Sequence, residues 1–332
     1  MKKLIALGIV VILLFLAGKT ILWSTRFMRT TGLTPTIAGS LVVGDGVTLK
    51  SKGDMTNILL LGVGGSTHEG ADLTDTMMVV SLDSRKKSVA LVSIPRDIWS
   101  ETLKDRINSA YHYGEEKKKG GGLLLAKVIS EDVVGIPVHY SFLLDFSGFK
   151  EIINVLGGIN VNVSKAFTDS DFPIAGKEKD TCPGDPTNRC VYETIHFDAG
   201  VQHMDGERAL KYVRSRHAEG DEGSDFARSR RQQDVLVALK DTLVHPLRWF
   251  SLLRVRQLRS VVAKATDTDM NLGELASVAK RVASVNDDQI QKISFEKLLY
   301  VPPSYMYGRY TLVPVDDWET IHAFIKKQLG IQ

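Results

Sequence analysis

The first part of the folded chain carries short, unbroken apolar runs. Asn57 to Val63 (NILLLGV), Thr76 to Asp83 (TMMVVSLD) and Ser88 to Pro95 (SVALVSIP) have strand length, and the polar turn SRKK separates the last two. Because these runs are apolar throughout and do not alternate, both faces of their sheet are predicted to be covered, which favours a layered α/β domain. Helices are expected from about Ile107 to Glu116 and from Leu123 to Val134, with KKKGGG between them. A strand around VHYSFLLDF precedes a helix from Phe149 to Leu156, stopped by Gly157 and Gly158. INVNV then alternates as a strand. Ser164 to about Gln202 has no strong periodicity and is expected to run over the surface as a long excursion. From Asp205 helices dominate: Val235, Leu236, Leu239 and Leu243 recur at helical spacing, and Leu272 to Val285 forms another candidate. The end, YTLVPVDDWETIHAFIKKQL, reads as a strand, a turn and a closing helix. Neither an internal repeat nor a second-domain linker interrupts this order.

The N-terminus changes the picture. Met1-Lys2-Lys3 is followed by an apolar run from Leu4 to Gly18, then Lys19 and the patch Ile21 to Trp23. With Lys19 snorkelling, Leu4 to Trp23 is about long enough to span a bilayer. An uncleaved signal anchor is expected over residues 1–23, with a cleaved signal peptide as the competing reading. Residues 24–55 then serve as a lead-in and 56–332 as one domain outside the cytoplasm, at the cell membrane. Arg26 and Arg29 weaken the orientation argument from charge, and no second apolar run of spanning length follows. Cys182 and Cys190, the only two cysteines, lie in the loop-like DTCPGDPTNRC. A disulfide there suits an oxidising exterior; two free thiols are the alternative, and zinc lacks enough ligands at suitable spacing.

Net charge is +3, from 42 basic and 39 acidic residues, so any functional charge must be local. It concentrates in YVRSRHAEGDEGSDFARSRRQQDVL, Tyr212 to Leu236. Arg214 and Arg216 face one way if that piece is extended. Asp225 or Ser224 can cap the next helix, on which Arg228 and Gln232 lie four apart and share a side, while Arg230 and Arg231 lie elsewhere. Two strand-associated loops add Asp75 and the pair Arg96-Asp97. A solvated charged face, a nucleic-acid surface and a clamp for a diphosphate at a membrane all remain readings of this cluster. Against nucleic acid stand the export signal, the nearly balanced charge and the lack of interleaved aromatics. Arg96 has the alternative of a surface ion pair with Asp97. His68 and His217 read as exposed loop residues. No G-x-S-x-G, Walker or H-E-x-x-H sequence occurs.

Several of these elements together resemble the LytR-CpsA-Psr family of cell-envelope proteins: NILLLGV, DTMM, SIPRD, RINSAY, GIPVHY, DFSGF, VLGGINVNV, MDGERALKYVRSR and SDFARSRRQQ, behind a single N-terminal anchor. The resemblance implies a single three-layer α/β/α domain with a central mixed sheet and a lipid-binding groove. It implies a phosphotransferase that moves a glycopolymer, such as a teichoic acid or capsule, from a polyprenyl diphosphate carrier to a wall acceptor such as peptidoglycan. By position, Arg96, Arg106, Arg214, Arg216, Arg228 and Gln232 would contact the diphosphate. Asp75 would hold Mg2+, and Asp75 and Arg96 would take the catalytic roles. Two departures stand out: Gly64 replaces an aspartate usual in the family, and Leu73 an arginine. Asp72, in the same loop, is the expected substitute carboxylate. A non-catalytic lipid-diphosphate binder is the alternative; a membrane-linked regulator lacks a DNA-reading motif.

Overall fold

The computed structural model describes residues 47–65, 72–177, 180–185, 187, 189–245 and 251–331. Among these, no helix is long and apolar enough to cross a membrane. The expected anchor, most of the lead-in, and His68 lie outside the described residues.

The three apolar runs form strands β1 (Met55–Val63), β2 (Thr74–Asp83) and β3 (Ser88–Ser93), an antiparallel meander. A two-strand hairpin follows, β4 (Trp99–Ser100) with β5 (Asp105–Arg106), then helices α1 (Ala110–Lys117) and α2 (Gly122–Val134). Strand β6 (Tyr140–Asp145) returns parallel to β1. Helix α3 (Phe146–Leu156) starts three residues before the sequence-based start, because Asp145 caps it by accepting from the Gly148 amide at 2.7 Å. It ends where expected, at Gly157, whose φ of 89° a side chain would strain.

The excursion expected over Ser164 to Gln202 instead carries paired strands. After β7 (Ile159–Val163) come β8 (Phe167–Pro173), β9 (Tyr192–Phe197) and β10 (Gly200–Met204); β8 pairs with β9, and β10 with β7. Its alternation is hard to read because Asp169 is fully buried, and because a register shift between Asp169 and Phe172 breaks the period of two. Between β8 and β9 the two cysteines are joined, their Cα atoms 5.7 Å apart, as the sequence predicts.

Helix α4 (Gly206–Arg214) is capped by Asp205, and α5 (Asp225–Leu243) by Ser224, which accepts from the Ala227 amide at 3.1 Å. Then follow α6 (Leu252–Ala265), β11 (Thr266–Thr268), α7 (Leu272–Ala283), β12 (Ile290–Ile293), the short pair β13 (Leu299–Tyr300) and β14 (Val313–Pro314), and a closing helix α8 (Trp318–Leu329).

The main sheet is mixed, in the order β11-β6-β1-β2-β3-β12. Alternate residues of a strand face opposite sides. Leu59, Leu61 and Val79 pack with Ala126 and Ile129 of α2 and Ile321 and Ile325 of α8. Ile58, Met78 and Val80 pack on the other side, with Leu236 of α5 and Leu275 and Val278 of α7. Helices therefore cover both faces, the three-layer arrangement that unbroken apolar strands require. A further core joins α3, α4 and the β7 to β10 region through Ile153, Val161, Phe167, Phe197 and Tyr212.

Candidate functional site

The site is set by where α5 lands on the sheet. Gln233 is buried and donates to Leu91 O at 3.0 Å and to Ser93 Oγ at 2.9 Å, pinning the helix across β3. Its neighbour Gln232 donates to Thr76 Oγ1 at 2.9 Å. Thr76 faces Gly62 of β1 in register, and a Cβ at Gly62 would come within 3.0 Å of the Thr76 Cβ. Glycine there keeps Thr76 in place for the helix.

One turn before Gln232, Arg228 points into a cavity of about 230 Å³. Asp75, Thr76, Arg96, Arg216 and Gln232 share its wall. Arg214 enters from the end of α4, its guanidinium 4.9 Å from the Phe146 ring centroid and 5.9 Å from that of Phe172. Asp169 lies behind the segment between α4 and α5. It accepts from Ser215 Oγ at 2.7 Å and from the backbone amides of Arg216 and His217 at 3.2 and 3.1 Å. Arg214 and Arg216 thus reach one cavity because a buried carboxylate fixes the backbone between and after them. His217 is exposed, as the sequence predicts, and lies on the rim.

Arg96 is held on two sides, by Asp75 and by Asp97 at 3.3 Å. Arg106 donates to the other Asp97 oxygen at 2.6 Å. Arg106 is therefore behind Arg96 and is not on the cavity wall, where the resemblance had put it; it orients Asp97. Burial alone would lower the Arg96 pKa, but the carboxylates of Asp75, Asp97 and Asp225 outweigh it and the pKa rises. For Arg228 burial prevails and the pKa falls, although Asp225 pairs with it at 2.9 Å. Guanidinium groups keep their charge through such shifts. Four arginines against Asp75 and Asp169 leave the cavity positive, with Asp169 already engaged by four donors, the Asp171 amide at 3.1 Å among them.

The face of α5 that begins with Arg228 and Gln232 continues through Leu236, Leu239 and Leu243. These three line a second cavity, also about 230 Å³, closed by Ile58, Leu60 and Val80 of the sheet and by Val278 of α7. Its walls are almost wholly apolar. A cationic cavity and an apolar cavity thus adjoin along one helix.

The LytR_cpsA_psr family model matches residues 36–317. The chain belongs to this family. Among curated relatives, "Polyisoprenyl-teichoic acid--peptidoglycan teichoic acid transferase TagV" of Bacillus subtilis is 28% identical over 256 residues, covering 76% of this chain and 59% of that protein. The TagU transferase of Bacillus mycoides is 27% identical, covering 73% and 69%. The match thus spans about six tenths of the length of TagV. The crystal structure of B. subtilis TagV superposes with a TM-score of 0.59 at 23% identity, covering 85% of this chain and all of that one. A structure of TagT bound to LI-WTA gives 0.57 at 23% identity over 86% of this chain. At such identities the structures speak for a shared fold.

Against the LytR_cpsA_psr pattern, Gly64 lines the neighbouring cavity beyond β1, and Leu73 is half-buried. Asp72, the expected substitute carboxylate, is exposed beside His112 at 3.8 Å and is not on the arginine-lined wall. Asp75 is therefore the wall carboxylate best placed for a metal. The wall thus offers a metal one carboxylate, already paired with Arg96; magnesium can be held through one carboxylate when phosphate oxygens and water fill its other positions.

Two residues that brace the site are not singled out by the sequence. Asp169 lay in a stretch read as loop. Arg231 was set apart as lying elsewhere on α5, yet it is almost fully buried. It donates to Tyr212 O at 3.0 Å, Ser215 O at 2.5 Å and Glu222 Oε2 at 3.0 Å, and its guanidinium lies 4.7 Å from the Phe167 ring centroid. Arg230 pairs with the same Glu222 at 2.6 Å. The mixed charges of AEGDEG are thus partly an internal brace and not only a solvated face. A buried acid eight or nine residues from paired arginines has no sequence signature of its own.

Proposed function

We propose that this protein transfers a glycopolymer from a polyprenyl diphosphate carrier to a saccharide of the cell wall, such as peptidoglycan, at the outer surface of the cell membrane. One observation carries the reading: the same face of α5 presents Arg228 and Gln232 to a cationic cavity and Leu236, Leu239 and Leu243 to an apolar one. A lipid-linked diphosphate has those two chemistries joined end to end. The names of the TagV and TagU relatives agree with it.

In the reaction an acceptor hydroxyl attacks the phosphorus that bears the glycopolymer, and the bond to the lipid phosphate breaks. Arg96, Arg214, Arg216 and Arg228 bind the two phosphates and stabilise the charge that gathers on the departing oxygen. Gln232, held by Thr76, adds a neutral donor. Arg106 keeps Asp97 and so Arg96 in place. Asp75 would hold Mg2+, which when bound supplies further neutralisation of phosphate charge. The anchor expected over residues 1–23 would keep the domain beside its lipid substrate.

A non-catalytic carrier of lipid diphosphates is the second reading, favoured by the pairing of Asp75 with Arg96 and by Gly64 in place of a carboxylate. Purified protein is to be incubated with a polyprenyl diphosphate glycolipid and acceptor, with and without magnesium, while polyprenyl phosphate is quantified. Magnesium-dependent release is expected. In Asp75→Ala it should fall by about 100-fold or more, as for loss of a group acting on transition-state charge, while Asp72→Ala retains most of it. Tight glycolipid binding without release under either condition would instead establish the carrier.

A further inference from the structure

A third cavity, about 430 Å³, adjoins the arginine pocket on the side away from the apolar one. The strand register puts the three in sequence. Ile58, Leu60 and Gly62 share one face of β1, and Gly64 follows just past the end of that strand. Ile58 and Leu60 line the apolar cavity, Gly62 faces Thr76 of the arginine pocket, and Gly64 lines the third cavity. Strand β6 repeats the order, with Phe142 at the apolar cavity and Asp145 at the third. Arg214, Phe146 and Phe172 are common to the arginine pocket and the third cavity and form the ridge between them.

The chemistry of this cavity differs from that of its neighbour. Lys150 lies 3.1 Å from Glu207, and Lys211 2.7 Å from Glu193, on α3, α4 and β9. With Asp145 and Arg214, acids and bases on its wall balance three to three. A phosphate would find no excess positive charge here. Closely set donors and acceptors suit instead a neutral, hydroxyl-rich ligand.

We propose that this cavity is the acceptor subsite, which holds the wall saccharide that receives the glycopolymer, with Lys150, Glu193, Glu207 and Lys211 as its specificity-determining contacts. This rests on the transferase reading above. Phosphoryl transfer places attacking and leaving oxygens roughly in line through phosphorus. The lipid phosphate leaves toward the apolar cavity, so the attacking hydroxyl must approach from the opposite side, where this cavity opens. As the acceptor O–P bond forms, the P–O bond to the lipid phosphate breaks and its electron pair stays on that phosphate oxygen. The proton of the hydroxyl reaches the departing phosphate through solvent.

The test uses full-length protein in detergent, loaded with a polyprenyl diphosphate that carries no sugar. It is titrated with a soluble tetrasaccharide of alternating N-acetylglucosamine and N-acetylmuramic acid whose lactyl carboxyls are capped as amides, so that the probe is neutral. The Glu193→Gln, Glu207→Gln double variant should weaken tetrasaccharide binding about tenfold or more, the worth of one or two charged hydrogen bonds. Its affinity for a polyprenyl diphosphate glycolipid should stay within about twofold of the original. Lys150→Gln, which leaves Lys211 and Glu193 intact, gives a second, milder reading should the double variant fold poorly. Unchanged tetrasaccharide affinity in these variants, or none in the unaltered protein, would overturn the assignment. So would weakened glycolipid binding with intact tetrasaccharide binding, which would give the cavity to the donor's own first sugar. Because binding is read directly, a protein that releases no polyprenyl phosphate refutes the transferase reading without obscuring this result.

Discussion

At the scale of single residues, the positive pocket depends on two groups whose hydrogen bonds are spent on the protein itself. Asp169 gathers one hydroxyl and three backbone amides, two of these in the segment after α4, and hydrogen bonds to a charged group contribute about 1.5–3 kcal/mol each. Asp169→Asn should therefore loosen the segment carrying Arg214 and Arg216. Glycolipid affinity is expected to drop about tenfold with a modest loss of stability, checked by equilibrium binding beside a urea titration. If affinity holds while stability falls, Asp169 only braces the fold. Arg231 is the second such group. Truncating one partner of a buried ion pair typically costs about 3–5 kcal/mol, because the other charge is left buried and unpaired. Arg231→Ala should lower the denaturation midpoint accordingly, more than Arg230→Ala, whose side chain is largely exposed and leaves Glu222 paired. These roles were illegible in the sequence for one reason: an arginine reads alike whether it meets a ligand or a buried acid. The cavity arginines were legible in two steps, since spacing gathered them into one cluster and the family motifs then pointed to a diphosphate as its ligand. Arg106 shows the limit of that route, since a charge matched by position came to rest one carboxylate behind the pocket.

At the scale of elements, α5 was predicted from the repeat of Val235, Leu236, Leu239 and Leu243, and its start from Ser224 or Asp225; Ser224 makes the cap. What periodicity did not reveal is that the helix changes chemistry along one face. Leu236→Glu should place a charge in the apolar cavity and weaken binding of a long polyprenyl diphosphate, while a short water-soluble diphosphate of the same sugar binds as before. Equal loss for both ligands would mean that the helix itself had shifted. A second element-scale prediction concerns the entry to β1. His139 Nδ1 accepts from the Asn57 amide at 2.9 Å, so the ring must be unprotonated there. Burial is the main cause of its lowered pKa. The unfolded chain thus takes up a proton before the folded one does. That stability is complete above about pH 6.5, the ordinary histidine value, and declines as pH falls below it toward the depressed folded value. A urea midpoint measured from pH 8 to 5 should slope more steeply for the native protein than for His139→Asn; parallel profiles would sink the idea.

At the scale of the whole molecule, the three-layer architecture was legible because strands apolar on both faces need cover on both. The β8 to β10 region was not, since a buried aspartate and a register shift erased its alternation. Yet that region carries Asp169 and Phe172 to the cavity wall and Glu193 to the next. The order of the cavities along β1 also has a metrical consequence. Successive same-face residues on a strand are separated by about 6.6 Å, so Leu60 and Gly62 set how far the apolar cavity lies from the arginine-lined one. The sheet is in this sense a gauge: on the transferase reading, a carrier whose first isoprene unit starts immediately after the phosphate would match its graduation, whereas one with a polar spacer of a few atoms would overshoot. Substrate selection would then be written into backbone spacing, where no side-chain replacement can easily retune it.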